Sequence, residues 1–214
     1  MKRILLLIIT IFCMCGCTKL NNENIDNVIA DAIDARLDLT NQYRTGFKYY
    51  LPTNMSIINS ARLNEVLSNG NDKYYLYVDL VSYYEKQDLE YEEKQDVYYS
   101  KTLNIDNKKG YLEINVKNDK YLIEIMYNYA KIEVMVDKDS INETVANCLV
   151  ILSSIKYNDN IIKNMMGEDI LNYSEEKFSI FDENRTNDSN FLEYVQEYDN
   201  YNEENKVYDY DLIN

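Results

Sequence analysis

The chain has 214 residues and a formal net charge of −15, from 37 acidic and 22 basic side chains, so phosphate backbones repel it and nucleic acid is excluded as an expected partner. It has no histidine and no tryptophan; without histidine it lacks the commonest general base, the usual catalytic metal ligand and any Ser-His or Cys-His pair. Five glycines leave no phosphate-cradling loop, and the 22 tyrosines come with abundant Asn, Ile and Lys, all served by AT-rich codons, so genomic bias is the simpler account of them.

Lys2 and Arg3 open the chain, Ile4 to Phe12 is an apolar run broken only by Thr10, and Met14-Cys15-Gly16-Cys17 closes it. A basic start, an apolar run of this length and a small residue at the cut mark a secretory signal peptide, and the run is too short to span a bilayer as a stable helix. With Gly16 directly followed by a cysteine, this leader resembles the lipobox of bacterial lipoproteins, although Met14 and Cys15 stand where Leu and Ala or Ser are usual. The resemblance implies a signal peptide over residues 1–16 and a diacylglycerol joined to the Cys17 thiol through a thioether. It places the mature chain on the extracytoplasmic face of the cell membrane, lipid-anchored. Each buried methylene of an acyl chain is worth about 0.8 kcal/mol, and one chain binds only marginally, so two or three hold durably. Losing Lys2 and Arg3 with the leader takes the formal charge from −15 to −17. Cys13 and Cys15 leave as well and Cys17 carries lipid, which leaves Cys148 with no disulfide partner in the same chain. The fold must rest on its core alone.

Thr18 to Asn24 is a polar spacer, so residues 17–24 form a tether. Ile25, Val28, Ile29, Ala32, Ile33 and Leu37 then recur at helical spacing, which predicts an amphipathic helix that Gly46 ends. Phe47, Tyr49 and Leu51 alternate before Pro52, a first strand stopped by proline. Arg62 to Ser68 and Asp72 to Tyr84 flank Asn69-Gly70, a strong hairpin signal. In the second of these, Tyr74, Leu76, Val78 and Leu80 share one face and Tyr75, Tyr77, Val81 and Tyr83 the other, the pattern of a sheet covered on both sides. Glu85 to Asp96 reads as an exposed charged loop. Val97 to Ile105, Tyr111 to Val116, Tyr121 to Tyr129 and Ile132 to Val136 follow as strands, with turn signals at Asn107 to Gly110 and at Asn118-Asp119. Connections this short dictate antiparallel pairing. Ser140-Ile141-Asn142-Glu143 has the form of a capping box, opening a helix with Ile141, Val145, Cys148, Leu149, Leu152 and Ile155 on one stripe. A lone thiol in such a stripe reads as a small core hydrophobe.

The order of these elements resembles the Mog1/PsbP-like fold over residues 25–157: a helix, a strand ending Phe47-x-x-x-Leu51-Pro52, an antiparallel meander, and a helix closing on Ile151-Leu152-Ser153-Ser154-Ile155-Lys156-Tyr157. The resemblance implies an α/β/α sandwich and a binding or assembly role without a shared catalytic site, and it carries no functional residue onto this chain. The expected class is α+β, with an antiparallel sheet of about six strands packed by helices on both faces.

Beyond Asn158, Ile161, Ile162, Met165 and Met166 predict a short helix, and Phe178 to Phe181 an extended piece that docks on a domain spanning residues 25–181. Residues 182–214 hold ten Asp or Glu against Arg185 and Lys206, an acidic tail of low expected order. Within it Asp182, Asn184, Thr186, Asp188, Asn190 and Glu193 match positions 1, 3, 5, 7, 9 and 12 of a calcium loop, but Asn187 replaces the turn glycine, Ser189 the apolar residue, and no second loop pairs with it. Acidic pairs such as Glu92-Glu93 and Glu175-Glu176 lie in polar stretches where solvated surface is the default. The expectation is therefore a non-enzymatic binding or assembly module with no catalytic, cofactor or metal residues, lipidated at Cys17, whose partner is an unknown protein or envelope polymer. The alternatives are a calcium-modulated surface protein using the 182–193 loop and a carboxylate-dependent cell-wall hydrolase.

Overall fold

Alternation of apolar side chains along six- to ten-residue runs produces most of the strands in the computed structural model, which describes residues 23–35, 38–61, 63–105 and 107–167. The leader, Cys17, the 182–193 loop and Phe178 to Phe181 lie outside the described residues. In chain order the elements are α1 (Ile25–Asp34), β1 (Gln42–Arg44), β2 (Phe47–Tyr49), β3 (Ser56–Ser60), β4 (Asn64–Asn69), β5 (Asp72–Val78), α2 (Leu80–Glu85), β6 (Tyr99–Ile105), β7 (Lys108–Lys117), β8 (Lys120–Tyr127), β9 (Ala130–Val136), α3 (Ile141–Ser154), β10 (Lys156–Tyr157) and α4 (Asp159–Gly167). The class is α+β. The main sheet has seven antiparallel strands in the order β3-β4-β5-β9-β8-β7-β6, and β1-β2-β10 form a separate small sheet.

Cross-strand register sorts the main sheet into two faces. On the helix face, Leu67, Tyr74, Val134, Ile123 and Ile114 form one row and Leu76, Ile132, Ile125 and Leu112 the next, all fully buried. Burying each such aliphatic side chain is worth about 1.5–3 kcal/mol. α3 lies over this face, with the Tyr74 hydroxyl 3.4 Å from that of Thr144. α1 packs beside α3 and is pinned to β6 by Asp26, which pairs with Lys101 and accepts from the Tyr99 hydroxyl at 2.9 Å. The small sheet is locked to β4 through buried Glu65, which receives the Tyr49 hydroxyl, the Arg44 guanidinium and the Ser60 hydroxyl. Cys148 is buried on α3, as its place in the apolar stripe predicts, and burial pushes its thiol far up.

Several boundaries differ from the sequence expectation, each for a local reason. α1 stops at Asp34, and Leu37 falls outside the described residues. Gly46 ends no helix; it turns β1 into β2 at φ +91°, against Leu80 and Ile162. The strand predicted through Tyr84 ends at Val78, because Asp79 caps α2: its two carboxylate oxygens accept from the Ser82 N–H at 2.8 Å and the Ser82 hydroxyl at 2.7 Å. Gly110 lies inside β7 rather than in the preceding turn, where an added Cβ would stand 2.1 Å from the Met126 carbonyl oxygen. Ser140 forms no capping box. A 3₁₀ turn over Lys138–Ser140 leads straight into α3, Ser140 itself is helical, and Glu143 instead accepts from the Asn69 amide at 2.9 Å. The hairpin holds, with Gly70 at φ +60° and the pair Asn69–Asp72 closing it.

Candidate functional site

The second face of the main sheet is built from the alternate residues of the same strands. Glu113 on β7, Glu124 on β8 and Glu133 on β9 stand directly opposite one another, in a row that Tyr75 continues on β5 and Ser100 on β6. The neighbouring row runs Tyr77, Lys131, Met126, Tyr111 and Thr102. Like charges directly opposite in a sheet repel, so a ladder of three carboxylates needs donors brought to it.

Two sources supply them. Within the sheet, the Lys131 ammonium lies 2.6 Å from Glu133 and 3.8 Å from Glu124, while the Tyr111 hydroxyl donates to Glu124 at 2.5 Å. The second source is the charged stretch between α2 and β6, which is the exposed loop expected from the sequence and folds back over β6 and β7. Tyr91 stacks on Tyr111 with centroids 4.1 Å apart and rings within 5° of parallel, and its hydroxyl donates to Glu113 at 2.7 Å. Lys94 reaches Glu113 at 2.8 Å, and its backbone N–H donates to the Ser100 hydroxyl at 2.9 Å. Glu93 accepts the Thr102 backbone N–H at 2.7 Å, which covers part of the sheet edge. Asn115, on β7 itself, is the third donor to Glu113, at 2.7 Å.

The protonation shifts follow from these contacts. Burial alone would raise Glu113, but the hydrogen bonds from Lys94, Asn115 and Tyr91 outweigh it and hold the carboxyl below the ordinary range. The bond to Glu113 raises Lys94. Burial pushes Tyr91 up to about 12 and Tyr111 further still, helped there by the charge of Glu124. Every one of these shifts moves its group away from neutrality. General acid–base chemistry wants the opposite, a group poised near the working pH. The ladder holds oriented charge beside stacked aromatic surface.

Of the three glutamates, Glu124 is the most open: its side chain is 23% exposed, against 10% for Glu113 and 2% for Glu133. The sequence signal that reveals the ladder is a lone glutamate between apolar neighbours in three successive strands: Leu112-Glu113-Ile114, Ile123-Glu124-Ile125 and Ile132-Glu133-Val134. Reading acidic pairs such as Glu92-Glu93 for chemistry misses it. Among the described residues, no group of three or more Asp, Glu or Cys is arranged to hold a metal ion, and no helix is long and apolar enough to cross a membrane. Cys17 and the 182–193 loop lie outside the described residues. No family model, curated protein or solved structure matches the chain.

Proposed function

We propose that the chain is a bacterial lipoprotein: a lipid-anchored, extracytoplasmic, non-enzymatic binding or assembly module that meets its partner with the carboxylate ladder. The observation that carries this reading is the leader, a basic start and short apolar run closed by Gly16-Cys17. The partner is a protein or envelope polymer that offers cationic groups, since a mature charge of −17 attracts such a surface and speeds encounter with it. The donors held on Glu113 and Glu124 and the stacked Tyr91 and Tyr111 rings support binding over hydrolysis at the ladder. The reading includes a Mog1/PsbP-like sandwich over residues 25–157, with the second face of the sheet also covered.

The test is metabolic labelling with a radioactive fatty acid in a bacterial host. The protein takes up label and fractionates with the membrane. Cys17→Ser loses the label and either accumulates as uncleaved precursor or escapes to the medium. Unchanged processing and membrane retention of the Ser variant would overturn the anchor.

A further inference from the structure

Glu113 takes its cation from outside the sheet. Lys131 on β9 lies beside Glu124 and Glu133, whereas the ammonium at Glu113 is that of Lys94, in the stretch between α2 and β6. That stretch, residues 86–98, crosses the β6–β7 half of the ladder face. Asp88 reaches Lys109 at 2.5 Å, Tyr91 stacks on Tyr111 and bonds to Glu113 and Ser100, and Glu93 accepts the Thr102 N–H. Each of these contacts is made by a side chain of the stretch. None of its residues is buried: Leu89, Tyr91 and Val97 are half-buried and the rest exposed. Exposed ion pairs contribute little each, and a segment with no buried apolar anchor opens without opening the core. The stretch is also a poor electrostatic match for the acids beneath it, since Lys86 and Lys94 stand against Asp88, Glu90, Glu92, Glu93 and Asp96, a net of −3.

We propose that residues 86–98 are an autoinhibitory strap, whose Tyr91 and Lys94 hold the β6–β7 half of the ladder until an extended protein segment brings an aromatic ring to Tyr111 and a cationic group to Glu113. The proposal rests on the binding role proposed for the ladder, and adds the pattern that the ladder recognises and the segment that competes for it. Tyr91 and Lys94 show that pattern from within the chain: a ring stacked 4.1 Å from Tyr111 and an ammonium 2.8 Å from Glu113, three residues apart in sequence. A partner segment with the same two groups and no acids makes the strap's contacts without its like-charge repulsion, so it displaces the strap. An acidic segment lacks that advantage and is turned away by the strap and the ladder alike.

The probe is a fluorescent peptide copying residues 86–98 with Asp88→Asn, Glu90→Gln, Glu92→Gln, Glu93→Gln and Asp96→Asn, and its anisotropy measures binding to the full chain. Tyr91→Ala with Lys94→Ala, which frees the strap and keeps the ladder, binds the peptide at least tenfold more tightly than the native chain does. Adding Glu113→Gln cancels that gain. A glutamate-specific protease reads the strap itself: saturating peptide speeds cleavage of the native chain after Glu92 and Glu93 at least tenfold, while Glu113, Glu124 and Glu133 stay uncut. If the double variant is cut within those strands it has lost the fold, and the cleavage rate of the native chain decides alone. Equal affinity for the native chain and the double variant, or saturable binding without faster cleavage, would overturn the strap and leave the ladder as a binding face. No saturable binding to either chain, or a gain that survives Glu113→Gln, would overturn the ladder reading and the strap with it.

Discussion

Residues 124 and 125 are neighbours on β8, yet they belong to two different chemistries. Ile125 sits under α3 in a row whose centre, Leu76, Ile132, Ile125 and Leu112, is apolar, with charged Glu65 and Lys101 only at its two ends. Glu124 sits in a row of carboxylates held by lysines and tyrosines, and it is the most open acid of the three. One face of the sheet has satisfied its packing with a helix layer. The other has spent three central strand positions on like charges that oppose each other. Glu113 is held by Lys94, Asn115 and Tyr91, yet an apolar row of similar volume would pack as well or better. The binding role proposed for the ladder rests on that difference.

The comparison is broken most forcefully on the helix face. Ile132→Ala should cost about 2–5 kcal/mol, because α3 cannot collapse fully into the cavity. Urea unfolding followed by circular dichroism measures it, and a loss below 1 kcal/mol would mean that this face is not the core. Next comes the join between the two sheets. Tyr49→Phe removes one donor from buried Glu65, leaving Arg44 and Ser60, and should cost about 1.5–3 kcal/mol in the same assay.

On the ladder face the effects shrink. Glu113 has a native carboxyl held below its ordinary value, so its contribution is full above the ordinary carboxylate range and is lost as pH falls through the lower native value. Glu113→Gln should therefore lower stability by about 1 kcal/mol at neutral pH, since its partner Lys94 is half exposed and screened. The variant should converge with the native chain on the acid side. A difference that grows as pH falls would contradict the assignment.

The fold was legible in the sequence wherever one face of an element is apolar. α3, α4 and the four strands from Tyr99 to Val136 follow from spacing alone, as does the buried place of Cys148. β3 was not legible, because Ser56–Ser60 is an exposed, bulged edge with no apolar alternation to read. α2 hid inside a strand pattern that one cap, Asp79, cuts short. The capping box at Ser140 failed for the reverse reason: the motif is present, but the preceding 3₁₀ turn puts Ser140 in a helical backbone where its side chain forms no cap. Strands as short as β1, β2 and β10 carry too little pattern to announce a second sheet, which only pairing between distant segments creates. The ladder is the instructive miss. Each glutamate alone looks like an ordinary polar position in a strand, and only the register puts the three side by side.

Glu124→Gln and Ile125→Ala, measured side by side in urea, test the division between the two faces most directly. The account predicts that Ile125→Ala loses about 2–5 kcal/mol, while Glu124→Gln stays within about 0.5 kcal/mol of the native chain. If Glu124→Gln destabilises as much as its neighbour, the ladder is a structural network and the binding face lies elsewhere.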